Sequence, residues 1–177
     1  MFSYNITERL ELLLLQKEHA EELFALIDNN RQHLKEWMNW VDRVQSVHDT
    51  AASIEKTLQQ AAEGGGFRAG LIFDGKLAGI INYHEIDWGN KKTSLGYWLG
   101  KEYEGRGLMT QAVQAFTKYA FNSMGLHRVE IRCAEENKKS RAVPEKLGFK
   151  MEGVLIESER LREGYVNQVV YGLVNAE

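Results

Sequence analysis

The chain has 177 residues, the size of one domain, and a net charge of −3, which gives no electrostatic reason to bind nucleic acid but would attract a basic protein. Its one cysteine, Cys133, excludes an internal disulfide and points to a reducing compartment. The longest apolar run, Leu12 to Leu15, is far too short for a bilayer, and no basic stretch at the N-terminus leads into a long apolar one. The expectation is a cytoplasmic protein without membrane association, with residues 1–177 as a single domain.

Leu10 to Leu15 reads as a strand covered on both faces. Ala20, Leu23, Phe24 and Ile27 recur at helical spacing and predict a helix from about Lys17 to Asn30. Between Arg31 and His48 lies an aromatic group that includes Trp37 and Trp40, on a short helix or an ordered loop. Asp49 is a plausible N-cap for a third helix running from Thr50 to Glu63, which Gly64-Gly-Gly66 ends. Phe67 to Phe73 and Leu77 to Ile86 then read as strands joined by Asp74-Gly75, the strongest hairpin signal in the chain. A turn at Asp87-Trp-Gly-Asn90 leads to another strand, Thr93 to Leu99.

An amphipathic helix from Leu108 buries Ala112, Phe116 and Ala120 on one face and ends near Met124-Gly125. Arg128 to Cys133 alternates as a strand, which makes a strand–helix–strand crossover of the kind that forms a parallel pair. A further helix spans about Lys138 to Leu147. Pro144 is expected to kink or shorten it unless it falls in the first turn. Two last strands, Lys150 to Glu159 and Val166 to Val174, flank a turn at Arg162-Glu-Gly164. The order β-α-α-β-β-β-α-β-α-β-β implies a mixed, twisted α/β sheet with helices on both faces.

Gly105-Arg106-Gly107 lies at the junction between a strand and a helix. Glycine lets the backbone approach a ligand and take positive φ, and the first N–H groups of the following helix point at whatever anion lies in front of them. Two glycines can equally make an ordinary turn. No Gly-x-x-x-x-Gly-Lys-Ser/Thr occurs, and the third glycine of a dinucleotide fingerprint is replaced by Thr110, so what remains is a different kind of phosphate loop. No Cys/His/carboxylate cluster has the spacing of metal ligands.

Tyr97-Trp98-Leu99, Glu104-Gly-Arg-Gly-Leu-Met-Thr110, Asn137-Lys-Lys-Ser140 and Glu145-Lys-Leu-Gly-Phe149 resemble the acetyl-CoA site of the GNAT acetyltransferases, in particular the RimJ/RimL type. The resemblance covers nearly the whole chain from Thr7-Glu-Arg-Leu10. It implies a sheet of about seven strands whose two central parallel strands splay around acetyl-CoA. It further implies that Trp98, Leu99, Glu104, Gly105, Arg106, Gly107, Leu108, Met109, Thr110 and Asn137 bind that cosubstrate. The family's Gln/Arg-x-x-Gly-x-Gly/Ala motif has Glu104 and Met109 at its outer positions here, and Glu104 is a departure that puts a side-chain role there in doubt.

By the same resemblance, Ser140 and Glu159 carry out the proton chemistry, and Trp37 and Trp40 belong to the wall of the acceptor site, whereas the residues alone favour core packing for both tryptophans, since large aromatics dominate cores as well as interfaces. Read from the residues alone, Ser140 also suits a helix N-cap. Glu159 also suits a solvated strand, with Glu152, Glu157 and Glu163 as competitors. His84 is either a satisfied core histidine or an alternative base, and Cys133, in a strand with no histidine beside it, reads as an inert core thiol. The implied reaction is direct attack of an amine on acetyl-CoA. The expected acceptor is a protein N-terminus, such as that of a ribosomal protein. A small amine (amino acid, polyamine or aminoglycoside) and a non-catalytic acyl-CoA-binding role are the alternatives, and a homo-oligomer, dimer or higher, stays open.

Overall fold

The computed structural model describes residues 3–161 and 163–176. Strands β1 (Ser3–Asn5) and β2 (Leu10–Leu14) precede helices α1 (Ala20–Asn29), α2 (Arg31–Lys35) and α3 (Val47–Ala62). Strands β3 (Arg68–Phe73), β4 (Lys76–Asp87) and β5 (Lys92–Leu99) follow. Helix α4 (Leu108–Asn122), β6 (Arg128–Ala134), α5 (Lys138–Lys146), β7 (Lys150–Leu161) and β8 (Gly164–Val174) complete the chain.

All eight strands join one mixed sheet in the order β1-β2-β3-β4-β5-β6-β8-β7. Its two faces bury separate cores, and neighbouring residues of one strand divide between them because a strand points successive side chains to opposite faces. Ile81 packs with Leu108, Ala112 and Phe116 of α4, whereas Ile80 packs with Leu23 and Ile27 of α1 and Ile54 of α3. Helices therefore cover both faces. Among the described residues, no helix is long and apolar enough to cross a membrane.

The Asp74-Gly75 turn forms as expected, with both residues at positive φ (50° and 76°), the pairing that matches the twist of a two-residue hairpin. In β4 the register shifts, since Tyr83 faces Leu95 and Ile86 faces Thr93, so that His84 and Glu85 together oppose Ser94. This bulge exposes both residues. The expectation of a core histidine at position 84 is thereby corrected.

Other expectations are corrected as well. The sheet has eight strands rather than about seven, because the three exposed residues of β1 add an edge that carries no apolar pattern. Helix α3 starts at Val47. Its N-cap is Ser46, and Asp49 is the third helical residue, whose carboxylate accepts from the Ser46 N–H at 2.9 Å in a capping box. Of the expected last turn, Arg162 lies outside the described residues.

Pro144 sits inside α5, beyond the first turn, and the helix stops two residues later at Lys146. A residue with an N–H at 144 would donate to the Ser140 carbonyl, four residues back. Proline cannot. The Tyr97 hydroxyl takes that place instead, donating to the Ser140 carbonyl at 2.9 Å. The helix break thus ties α5 to β5.

The parallel pairing of β5 and β6 covers only Lys92–Leu95 against Arg128–Ile131. Beyond Leu95, β5 continues to Leu99 and β6 to Ala134 without facing each other in the ladder. The sheet is split in the middle, on the side where the glycine loop and α5 begin.

Candidate active site

Two clefts meet at this split. The first, about 860 Å³, is lined by the β5 edge (Tyr97 to Leu99), the glycine loop, the start of α4 and the start of α5. Backbone groups on the β6 side of Tyr97–Leu99 have lost their ladder partners, so an extended ligand can hydrogen-bond there as an added strand would. At the outer end, Gly105 and Gly107 both take positive φ (73° and 71°), and Gly107 is the N-cap residue of α4. A left-handed N-cap with no side chain leaves the first N–H groups of α4 facing the cleft, a favourable arrangement for a pyrophosphate. Added Cβ atoms there would meet almost nothing: only Gln111 comes within 4.0 Å of one at Gly107. Glycine is therefore required by conformation and by what lies in front, and not by crowding within the chain.

Of the ten residues expected to bind the cosubstrate, nine line this cleft: Trp98, Leu99, Glu104, Gly105, Gly107, Leu108, Met109, Thr110 and Asn137. Arg106 does not. Its guanidinium turns away, 5.7 Å from the centre of the Phe73 ring. Glu104 does have a role for its side chain: one oxygen accepts from Lys139 of α5 at 2.6 Å and the other lies 3.2 Å from His33 of α2. The departure from the family motif thus links three elements around the cleft mouth. Lys138 and Lys146 add positive charge to the same walls.

The second cleft, about 1020 Å³, opens on the α3 side and is lined by residues of α3, β3, β4, β6, β7 and β8. Trp37, Met38, Tyr97, Trp98, Asn137 and Ser140 line both clefts, so the two open onto each other there. Trp40 lines the second cleft and packs against Trp98 at 5.9 Å between ring centres, and Trp37 is half-buried between the two. Packing and contact with a ligand are here properties of the same side chains.

Ser140 is not the N-cap. Asn137 is, accepting from the Ser140 N–H at 3.2 Å, so the serine hydroxyl is spared for the cleft, 3.3 Å from the Cys133 sulfur. The Cys133 thiol is buried, and that burial raises its pKa, which keeps it protonated. Glu159, on β7, lines the second cleft only. Partial burial pushes its pKa up, against the opposing effect of an N–H donated by Gln168 at 3.1 Å. A carboxylate so placed is a better base than one in water. His84 also lines this cleft, with Nδ1 2.9 Å from the Ser94 hydroxyl. Its pKa is lowered by partial loss of solvent on the cleft wall and by Arg132, although part of the ring stays exposed.

The residues 9–150 match the model of the acetyltransferase (GNAT) domain family. The chain belongs to the GNAT acetyltransferases. Its GNAT relatives include the "Putative ribosomal N-acetyltransferase YdaF" of Bacillus subtilis (strain 168), 39% identical over 98% of this chain and 93% of that one. The ribosomal-protein-serine acetyltransferase of Escherichia coli (strain K12) is 30% identical over 96% and 94%. Among solved GNAT structures, the microcin C7 self-immunity acetyltransferase MccE in complex with acetyl-CoA and AMP superposes with a TM-score of 0.91. It is 30% identical, over 96% of this chain and 94% of that one.

Tyr97, Met38 and Gln168 also line the clefts, and sequence reasoning gave none of them a role, although Tyr97 stood in the Tyr97-Trp98-Leu99 run. The signal for Tyr97 was indirect: a proline four residues after Ser140 leaves a carbonyl in need of a donor. Gln168 could be found only from the register of β8, which sets it beside Leu155 and within reach of Glu159.

Proposed function

We propose that this N-acetyltransferase transfers the acetyl group of acetyl-CoA to the N-terminal α-amino group of a protein, with a ribosomal protein as the favoured class of acceptor. The observation that carries the reading is the junction of the two clefts at Ser140 and Trp98, with a half-buried carboxylate, Glu159, on the acceptor side. The names of the bacterial relatives support the ribosomal acceptor.

Acetyl-CoA supplies the thioester. The α4 N-terminus and the glycine loop hold its pyrophosphate, and the free edge of Tyr97–Leu99 holds its extended arm while offering N–H groups to the charge that develops on the acetyl oxygen. Glu159 takes the proton of the attacking amine, directly or through water. Ser140 donates its hydroxyl proton toward the departing sulfur. A free α-amine, with a pKa of about 8, needs only modest help to become neutral, whereas a lysine near ~10.4 needs more, and one half-buried carboxylate matches the lesser demand.

A polyamine acceptor fits poorly. Arg43, Lys56, Arg68 and Arg132 line the second cleft against Asp49 and Glu159, and this excess of cations would repel a polycation. Acetyl transfer from acetyl-CoA to a panel of N-terminal peptides, lysine side chains and small amines tests the reading. Turnover is expected with N-terminal peptides. A clear preference for lysine side chains or for spermidine would overturn it.

A further inference from the structure

Arg68 is an unusual residue for the floor of a cleft. It stands on β3 directly opposite Asn82 of β4, which in turn faces Gly96 of β5, so the three form a row across the same face of the sheet. Its Nη1 donates to the Ser53 hydroxyl of α3 at 2.9 Å, which fixes the guanidinium against the helix. Its Nε is enclosed, and no acceptor reaches it. No carboxylate of the described residues forms an ion pair with Arg68, and its burial lowers its pKa with no acid to oppose the shift.

The two acids lining the cleft are engaged elsewhere. Asp49 caps α3 through the N–H groups of Gln45 and Ser46, and Glu159 lies on β7, with β4, β5, β6 and β8 between it and β3. A half-buried guanidinium whose enclosed Nε has no acceptor carries an energetic cost that an acceptor of opposite charge would reduce.

We propose that Arg68 forms an anion subsite of the acceptor cleft, and that it takes the carboxylate of an acidic residue close behind the N-terminus of the acceptor. This rests on the reading of the second cleft as the acceptor site. The distance sets the position of that residue. Two strand spacings of about 4.8 Å separate Arg68 from the split beside β5, and about three extended residues span the resulting ~10 Å. The acid is therefore placed within the first four residues of the acceptor. Arg132, on β6, adds to the positive field but is already bonded to Glu130 at 2.7 Å, which leaves the specific contact to Arg68.

The experiment separates binding from turnover. The coenzyme A-loaded protein is titrated calorimetrically with the tetrapeptides Ser-Ala-Asp-Ala and Ser-Ala-Asn-Ala, and acetyl transfer from acetyl-CoA to the same pair is followed in parallel. The parent is expected to bind the aspartate peptide about tenfold more tightly than its amide twin, as one charge-assisted contact in a dry site allows. In Arg68→Met, which keeps the bulk of the side chain, the preference should fall to within about twofold while the affinity for coenzyme A is unchanged. Arg68→Lys should keep part of it. Equal binding of both peptides by the parent, or a preference that survives in Arg68→Met, overturns the subsite. Tighter binding of O-phosphoethanolamine than of the aspartate peptide overturns the assignment to a carboxylate. A binding preference without acetyl transfer to either peptide upholds the subsite and removes the proposed reaction instead.

Discussion

The two clefts are built in different ways. The first is made by backbone: a strand edge that has lost its neighbour, two residues at positive φ and the start of a helix, mostly from the stretch Tyr97 to Thr110. The second is made largely by side chains from nine helices and strands, spread along the chain from α1 to β8. A backbone site can tolerate changes of side chain that leave its N–H groups in place, whereas a side-chain site changes its ligand with substitutions in its lining. A family can therefore keep its donor and vary its acceptor.

The difference is sharpest at Glu159. Glu159→Gln keeps the shape and the bond to Gln168 but removes the base, and kcat should fall by roughly 10² to 10⁴ while the affinity for acetyl-CoA stays at the parental value. The pH profile follows from the sign of the shift. On the proposed mechanism the active form is the carboxylate, and partial burial raises its pKa, so the parental kcat should climb with pH through a midpoint above that of a carboxylate in water and fall below it. The glutamine variant should lose that limb and recover in part toward alkaline pH, where more of the amine is already neutral. Rate against pH for both proteins checks this, and a parental rate in the variant at neutral pH would transfer the role to His84.

The first cleft breaks through its backbone. A valine at Gly107 must hold a conformation that β-branched residues resist and must also place methyl groups in front of the α4 N-terminus. Coenzyme A affinity, measured by calorimetry, is expected to drop at least tenfold, about 1.4 kcal/mol. Arg106→Ala, whose guanidinium lies over Phe73 and not in the cleft, should change it by less than twofold. If the arginine matters more than the glycine, the backbone account of this cleft fails.

The joint between the clefts breaks in stability rather than in binding. Tyr97→Phe strips the donor from the Ser140 carbonyl and should cost about 1–3 kcal/mol of stability, read from denaturant unfolding. Adding Pro144→Ala supplies an N–H four residues after Ser140 and should restore much of that loss. The coupling between the two substitutions is the quantity to measure, and additive effects would dissolve the link between proline and tyrosine.

The sequence showed the sheet, the crossover and the glycine loop because each rests on local patterns: alternation in Arg128 to Cys133, Asp74-Gly75 in its hairpin, and paired glycines before a helix. The second cleft was much less legible. Trp37, Trp40 and His84 could be named, but only the bulge opposite Ser94 brings His84 out of the sheet, and a bulge is a register event that alternation does not announce. Ser140 gained meaning only once Asn137 proved to be the cap. The edge strand β1 had no apolar pattern to read at all.

The four-residue seam between β5 and β6 also bears on the order of folding. On one side lies the β3–β4–β5 meander, on the other the antiparallel β7–β8 pair with β6, and strands adjacent in sequence pair within each half. Such local pairings form early, whereas the seam must wait for Lys92 and Arg128 to meet across the whole of α4. Both clefts come into being only when the halves join. On the proposed reading a bound donor would act as a clasp across the seam, and slowed unfolding of the loaded protein is how that clasp would show itself.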